Sequence, residues 1–268
     1  MKTKIGFIGA GNIVQAILKG VKKEKGYPPA EIGIFDVSQA VRNSYQENGY
    51  CVFESIKELV VNTNIVVVAV TPQVIDTITS DIKEALSDNN IILSLTAGVS
   101  INWFQEQLGS SCKVVRCMPT LTAQVGLGAY AVSYSHLDSD REYIEIKKFL
   151  KTTGIVEMIS ESLMCEVVPF TGSAPMYFYH MAKVIVKEAI DLGFDENTAL
   201  QLFAQTMKGS AEMLLNSDIS PDELEEKLRL PGGTTMALLD KMDELNFDNC
   251  LTESIKACVI RCKELGSL

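Results

Sequence analysis

Residues Lys4–Ala16 read K-I-G-F-I-G-A-G-N-I-V-Q-A. Ile5, Phe7 and Ile8 form a short apolar run, Gly9 and Gly11 form a tight turn, and helical spacing follows. A strand, a glycine turn and a helix in that order is the context in which a G-x-G-x-x-G match carries meaning. Gly9 lets the chain turn sharply. Gly11 lets backbone approach a pyrophosphate, which is held by the unpaired N–H groups of a helix N-terminus. Val14 stands at the third glycine position, where glycine lets helix and strand pack closely, so a slightly wider crossing is expected.

An acid follows at the right distance. Glu31–Phe35 (E-I-G-I-F) predicts a second strand, and Asp36 ends it, 22 residues after Val14. A carboxylate there hydrogen-bonds the adenosine ribose hydroxyls and repels a 2′-phosphate, so Asp36 favours NADH over NADPH. Arg42 lies near enough to complicate that choice, and Asp36 can also cap a turn or the next helix.

The rest of the chain is set in the same rhythm as far as residue 160. Further strands are predicted at Tyr50–Phe53, Ile65–Val70, Ile91–Leu95, Lys113–Met118, Ala129–Ser133 and Gly154–Ile159, separated by helical patterns. Unbroken β-branched runs such as Ile65–Val70 suit strands buried on both faces, as in a parallel sheet covered by helices. Residues 1–160 therefore predict a doubly wound, Rossmann-type dinucleotide-binding domain. Residues 161–268 predict an all-α domain. Leu163–Gly193 is mostly helical in pattern, interrupted by Gly172 and Pro175. Asp195 caps the next helix, Ser220-Pro221-Asp222-Glu223 starts another, and a last helix covers about Asp248–Leu265. Apolar stripes on so small a helical block call for a second copy, and a symmetric dimer is the simplest closure.

Composition narrows the partners. The 268 residues carry 24 − 34 = −10 charges, which argues against an electrostatic nucleic-acid surface. A dinucleotide is still admissible, because backbone N–H groups hold the pyrophosphate. Seven scattered Cys with no C-x-x-C, and only His136 and His180, build no zinc spacing, so no metal is expected. Cys258 and Cys262 fall four apart on one helix face, as small buried hydrophobes do. No secretory signal and no run near 18 apolar residues is present, so no membrane role and a reducing cytoplasm are expected.

Four more stretches could carry chemistry. In a doubly wound sheet the carboxyl ends of the strands line the cofactor crevice. Ala69-Val70-Thr71-Pro72 should therefore cross the dinucleotide, and Ala97-Gly98 should lie near the nicotinamide. Thr171-Gly172-Ser173-Ala174-Pro175-Met176-Tyr177 has the small residues that let backbone approach a ligand or another chain. Leu230-Pro231-Gly232-Gly233-Thr234-Thr235 precedes an apolar helix, and its glycines and hydroxyls make an anion site suited to a carboxylate, or simply a loop with a Thr cap. No nucleophile–His pair emerges. His180 sits on an apolar stripe with Met176, Tyr177, Tyr179 and Met181 and is expected to be packed.

Five stretches in order, I-G-F-I-G-A-G-N-I, A-V-T-P-Q, R-C-M-P, T-G-S-A-P-M-Y and L-P-G-G-T-T, make the chain resemble the pyrroline-5-carboxylate reductase family over nearly its whole length. The resemblance implies a Rossmann domain and a helical dimerisation domain, in a homodimer or a higher oligomer of dimers. It implies reduction of the cyclic imine acid 1-pyrroline-5-carboxylate to L-proline by NAD(P)H, the last step of proline biosynthesis. It assigns the cofactor to Gly9, Ala10, Gly11, Asn12, Ile13, Asp36, Ala69, Val70, Thr71, Pro72, Ala97, Gly98, Met118 and Pro119. It assigns the substrate to Glu161, Ser173, Gly232, Gly233, Thr234 and Thr235, with the Thr235 hydroxyl approaching the ring nitrogen as the catalytic group. A protonated imine is already electrophilic, so neutral hydroxyls and oriented N–H groups suffice to hold it in a near-attack pose.

The chain departs from the family pattern at Thr71, at Thr120 and Thr122 after Met118-Pro119, at Ala174 and Met176, and at Leu230. These changes keep alternatives open: a paralogue acting on another imine or hydroxy acid, or a dinucleotide-binding regulatory protein without catalysis. A hydroxyacid dehydrogenase would place Asn four residues after a catalytic Lys, whereas Lys183 is followed at that spacing by Lys187.

Overall fold

The computed structural model describes residues 3–24, 26–135 and 140–266. His136 lies outside the described residues. Among the described residues, eight strands form one sheet in the order β3-β2-β1-β4-β5-β6-β7-β8. They are β1 (Thr3–Ile8), β2 (Ile32–Phe35), β3 (Cys51–Val52), β4 (Thr63–Val68), β5 (Ile91–Ser94), β6 (Val114–Met118), β7 (Gly128–Ser135) and β8 (Gly154–Met158). The helices are α1 (Asn12–Lys23), α2 (Gln39–Glu47), α3 (Ile56–Asn62), α4 (Ile75–Ala85), α5 (Ile101–Leu108), α6 (Asp140–Lys151), α7 (Pro175–Asp191), α8 (Glu196–Asn216), α9 (Pro221–Glu226), α10 (Thr234–Glu244) and α11 (Phe247–Leu265).

β1 lies at the middle of the parallel part, with Ile5 opposite Ile32 of β2 and Ile65 of β4. The sequence order reverses between β1 and β4, which makes that crevice the switch point of the sheet. Successive residues of β4 point to opposite faces. Ile65 and Val67 enter one core cluster with α1 and α6, and Val66 and Val68 enter another with α3, α4 and α5. Both faces are buried, which is why this strand reads as an unbroken apolar run.

The expected parallel sheet holds from β3 to β6 and fails at the edge. β7 runs antiparallel to β6, with Arg116 opposite Ser133. The link between them holds only the short turn Leu121–Val125. A parallel return needs a crossover of about a dozen residues or more, which this link cannot supply. α6 then supplies one, and β8 lies parallel to β7.

The chain packs as two compact units, Met1–Ala174 with Cys258–Leu268, and Pro175–Ala257. In the first, the predicted helical pattern from Leu163 resolves into short turns, Glu161–Leu163 and Val168–Phe170. Pro169 has no N–H to donate and Gly172 follows closely, so no long helix propagates here. Met164 anchors the segment beside Met118 and Ala131. In the second unit α7 packs on α8. The Asp195 carboxylate accepts the Thr198 N–H at 3.0 Å, and Ser220 with Glu223 forms a capping box around Pro221. Met176, Phe178, Tyr179, Leu202 and Leu215 remain exposed on this chain. His180 is exposed as well, not packed as expected, because the stripe it shares is not covered within the chain. Among the described residues no helix is long and apolar enough to cross a membrane.

Val14 is fully buried in the core at the third position of the glycine motif. The close approach of α1 to its neighbour falls six residues later, at Gly20, where an added Cβ would clash with the Ala123 carbonyl oxygen. Backbone cannot yield as a side-chain tip can. Gly20→Ala should therefore lower unfolding stability by roughly 1–3 kcal/mol despite the better helix propensity of alanine, read from the urea midpoint. An unchanged midpoint would show that the turn at Ala123 moves freely.

Candidate active site

The carboxyl ends of the parallel strands are laced together one residue beyond the sheet. Gly9 N–H donates to the Phe35 carbonyl at 2.8 Å, Ala69 N–H to Ile8 at 2.9 Å, and Leu95 N–H to Val68 at 2.9 Å. Gly9 has φ +91°, and a Cβ there would lie 2.8 Å from the Ala69 carbonyl oxygen. The turn after β1 is thus wedged against the Ala69–Pro72 loop. Val70 is tied in turn to Thr96, whose hydroxyl donates to its carbonyl at 3.2 Å.

Gly11 is the N-cap of α1, and no side chain caps this end. An added Cβ at Gly11 would meet nothing within 4 Å. Asn12 and Ile13 open the first turn, where N–H groups have no partner inside the helix. An uncapped helix start facing open space beyond a glycine fits a pyrophosphate. The residues present therefore fit a dinucleotide.

Asp36 is locked into the same turn. Its Oδ2 accepts Ala10 N–H at 2.9 Å and its Oδ1 accepts Ser38 N–H at 2.9 Å. Of the two readings of this acid the turn cap is present, and the carboxylate, just past the end of β2, keeps lone pairs that these two bonds do not use. Arg42 arches over the Phe35 ring, 5.9 Å from its centroid. Its guanidinium donates to the Asp36 carbonyl, to Gln39 Oε1 and to Glu54 Oε2. The cation is thereby engaged by neighbouring oxygens and partly neutralised by Glu54, a residue that sequence reasoning did not single out.

Gly98 has φ +80°, and its missing Cβ lies 2.5 Å from the Gly266 amide nitrogen. The Ala97–Gly98 loop is therefore packed against the end of α11. At the start of α5 a partly buried ion pair is anchored. Arg116, on β6, is 6% exposed, and its Nη1 lies 3.3 Å from Glu161 Oε1. The same oxygen accepts Ile101 N–H, at the start of α5, at 2.7 Å. Arg116 Nη2 is buried with no hydrogen-bond partner. The sequence carried a signal for this pair: an arginine inside the run V-V-R-C-M requires a buried anion.

Met118 and Pro119 lie against the Thr171–Ala174 turn. A Cβ on Gly172 would come 3.1 Å from Met118 Sδ and 3.6 Å from the Pro119 carbonyl oxygen. Ser173 Oγ lies 3.5 Å from Cys258 Sγ. In the second unit, the Gly232–Thr235 loop has its own logic. Gly232 has φ +73°, and Gly233 N–H donates to the Leu230 carbonyl at 2.9 Å. Gly233 is the N-cap of α10, with no side-chain cap. The expected alternative of a Thr cap is corrected: Thr234 and Thr235 fall inside the helix, so neither hydroxyl closes its end.

Comparison with known proteins agrees with both halves. A family model described as pyrroline-5-carboxylate reductase dimerisation matches residues 161–265, and one described as NADP oxidoreductase, coenzyme F420-dependent, matches residues 4–98. Pyrroline-5-carboxylate reductase 2 of Bacillus subtilis is 31% identical over 268 residues, covering 98% of this chain and 95% of its own. Pyrroline-5-carboxylate reductase 3 of Danio rerio is 30% identical over 264 residues, covering 98% of this chain and 92% of its own. Among solved structures, Plasmodium falciparum pyrroline carboxylate reductase with NADP bound superposes with a TM-score of 0.91 at 24% identity, covering 98% of each chain, which shows a shared fold. Sequence, architecture and the laced glycine rim converge on one assignment: the chain belongs to the pyrroline-5-carboxylate reductase family.

Proposed function

We propose that the chain reduces 1-pyrroline-5-carboxylate to L-proline with a nicotinamide dinucleotide, and that it prefers NADH. The observation that carries the reading is the open Gly11 turn over an uncapped helix start, with Asp36 locked beside it. When bound, the reduced nicotinamide supplies a hydride to the imine carbon. The chain's own residues bind and orient.

Gly11, Asn12 and Ile13 hold the pyrophosphate through backbone N–H groups, and Gly9 and Ala10, whose N–H groups serve Phe35 and Asp36, shape the turn beneath it. Ala69, Val70, Thr71 and Pro72 run along the dinucleotide, and Ala97, Gly98, Met118 and Pro119 bound its nicotinamide end. Asp36 reads the ribose. Arg42 is the natural partner of a 2′-phosphate, but its Nη1 and Nη2 already serve the Asp36 carbonyl, Gln39 and Glu54, and the Asp36 and Glu54 carboxylates repel a dianion there. Gly232, Gly233 and Thr234 take the substrate carboxylate at the start of α10, and Thr235 Oγ1 hydrogen-bonds the ring nitrogen. Ser173 lines the substrate side. Glu161 is a positioning acid: its Oε1 is held by Arg116 and Ile101, which fixes the segment that leads to Ser173. The family's dimerisation segment and the exposed apolar side chains of α7 and α8 support a homodimer; the reading extends to an oligomer of dimers in the cytoplasm.

The purified protein should oxidise NADH when given 1-pyrroline-5-carboxylate, followed by loss of nicotinamide absorbance; no turnover with either cofactor would remove the proposal. Asp36→Ala should shrink the preference for NADH over NADPH by roughly tenfold, about 1.4 kcal/mol, in paired Kd measurements. A ratio that does not move would clear Asp36 of the reading role. Glu161→Ala should cost roughly 3 kcal/mol of stability, because it strands the buried Arg116 charge. Glu161→Gln should recover part of it through the Ile101 N–H, as urea denaturation would report.

A further inference from the structure

Cys165 follows the Glu161–Leu163 turn, and Cys262 sits near the end of α11. Both belong to the first unit. Their sulfurs lie 2.8 Å apart, although the residues are 97 positions apart in sequence. A disulfide bond is about 2.05 Å long, so closure requires a movement well under one ångström. The neighbouring residues repeat the tie, with Lys263 Nζ 2.7 Å from Glu166 Oε1. The turn and the helix end are thus held at two consecutive positions, once by an ion pair and once by two thiols.

We propose that Cys165 and Cys262 are a reversible thiol–disulfide site that a peroxide oxidises, fastening the end of α11 to the segment that carries Glu161 and Ser173.

The two thiols are unequal. Cys165 is half-buried and within reach of a small oxidant, whereas Cys262 is 4% exposed. Burial pushes the Cys262 thiol up to about 12, with the Cys165 contact adding to it and the Arg116 charge opposing it. The exposed partner is therefore the one that reacts first. The Cys165 thiol gives up its proton and its sulfur attacks one peroxide oxygen, the O–O bond breaks, and the hydroxide that leaves takes up that proton as water, giving a sulfenic acid. Cys262 sulfur then displaces the hydroxyl from Cys165 sulfur, its proton leaves with that hydroxyl as water, and the S–S bond forms. Two thiols and one hydrogen peroxide become one disulfide and two waters. A dithiol reductant reverses the bond by two exchanges, so a thiol-reducing compartment keeps the pair open.

The consequence is positional. The end of α11 packs on Gly98 through Gly266, and Cys262 lies one turn before it. The bond would close a loop of almost one hundred residues, a length at which cross-links restrict the unfolded chain strongly. The proposal is independent of the substrate assigned above, because its readout needs no turnover.

The test is hydrogen peroxide treatment of the intact protein, alkylation of remaining thiols, and a tryptic map without reductant. Cleavage after Lys256 and Arg261 separates Cys258 from Cys262, so the two can be told apart. The expected result is a cross-link between the Cys165 and Cys262 peptides, about 2 Da below their summed mass, that dithiothreitol removes. The oxidised chain should also melt about 5 °C higher than the reduced one. Cys258→Ala should keep the cross-link and Cys165→Ser should lose it; the wild-type map decides the matter if the serine variant fails to fold. Oxidation of exposed Cys250 while Cys165 and Cys262 stay alkylatable, or a Cys165–Cys258 cross-link, would overturn the assignment.

Discussion

A carbonyl oxygen sets the terms at the centre of this molecule. At Gly9 the chain must leave β1 with a positive φ while passing the Ala69 carbonyl at a distance no Cβ tolerates. Only glycine meets both demands. Once it does, Gly9 N–H reaches Phe35, Ala69 N–H reaches Ile8, and Ala10 N–H reaches Asp36. The rim of the switch point is then a single hydrogen-bonded fabric, and α1 starts from it with its first N–H groups unspent.

The second organising feature is a charge placed where charge is expensive. Arg116 stands in a strand whose every residue is buried, so an anion must come to it. Glu161 comes, bringing with it the turn that leads to Cys165 and Ser173. By also accepting Ile101 N–H it fixes the start of α5. Strand, helix start and turn are therefore held by one carboxylate oxygen. The fold's parallel core and the segment that leads to Cys165 and Ser173 share that anchor.

Much of this was legible from local pattern. Apolar runs marked the inner strands because strands buried on both faces allow little else, whereas the edge strands β3 and β8 are only partly buried. Ser220-Pro221-Asp222-Glu223 announced a capping box because cap chemistry is contained in four residues, and the box is present. The glycine turn and the acid after β2 were readable because their spacing is a property of one strand–helix–strand unit. Direction was harder. β7 has the composition of any inner strand, and nothing in a two-residue period says which way a strand runs. Its reversal follows from the length of the link after Met118. Pairings across long separations were not legible at all. Arg116 advertised a missing anion without naming Glu161, and Cys165 and Cys262 were scattered cysteines until the fold brought their sulfurs to 2.8 Å. His180 was misread because an apolar stripe does not say whether the surface that covers it belongs to the same chain.

Gly98 and Gly266 touch through the space each side chain would need, so that a Cβ added to Gly266 would clash with the Gly98 carbonyl oxygen. Most close contacts in proteins leave room for compensation, since a larger residue on one side can be offset by a smaller one opposite. Here neither side has anything left to give up. The two positions are frozen as a pair, and sequence drift at one cannot be forgiven by the other. Over evolutionary time such a contact acts as a one-way ratchet, easy to lose and hard to regain by single steps.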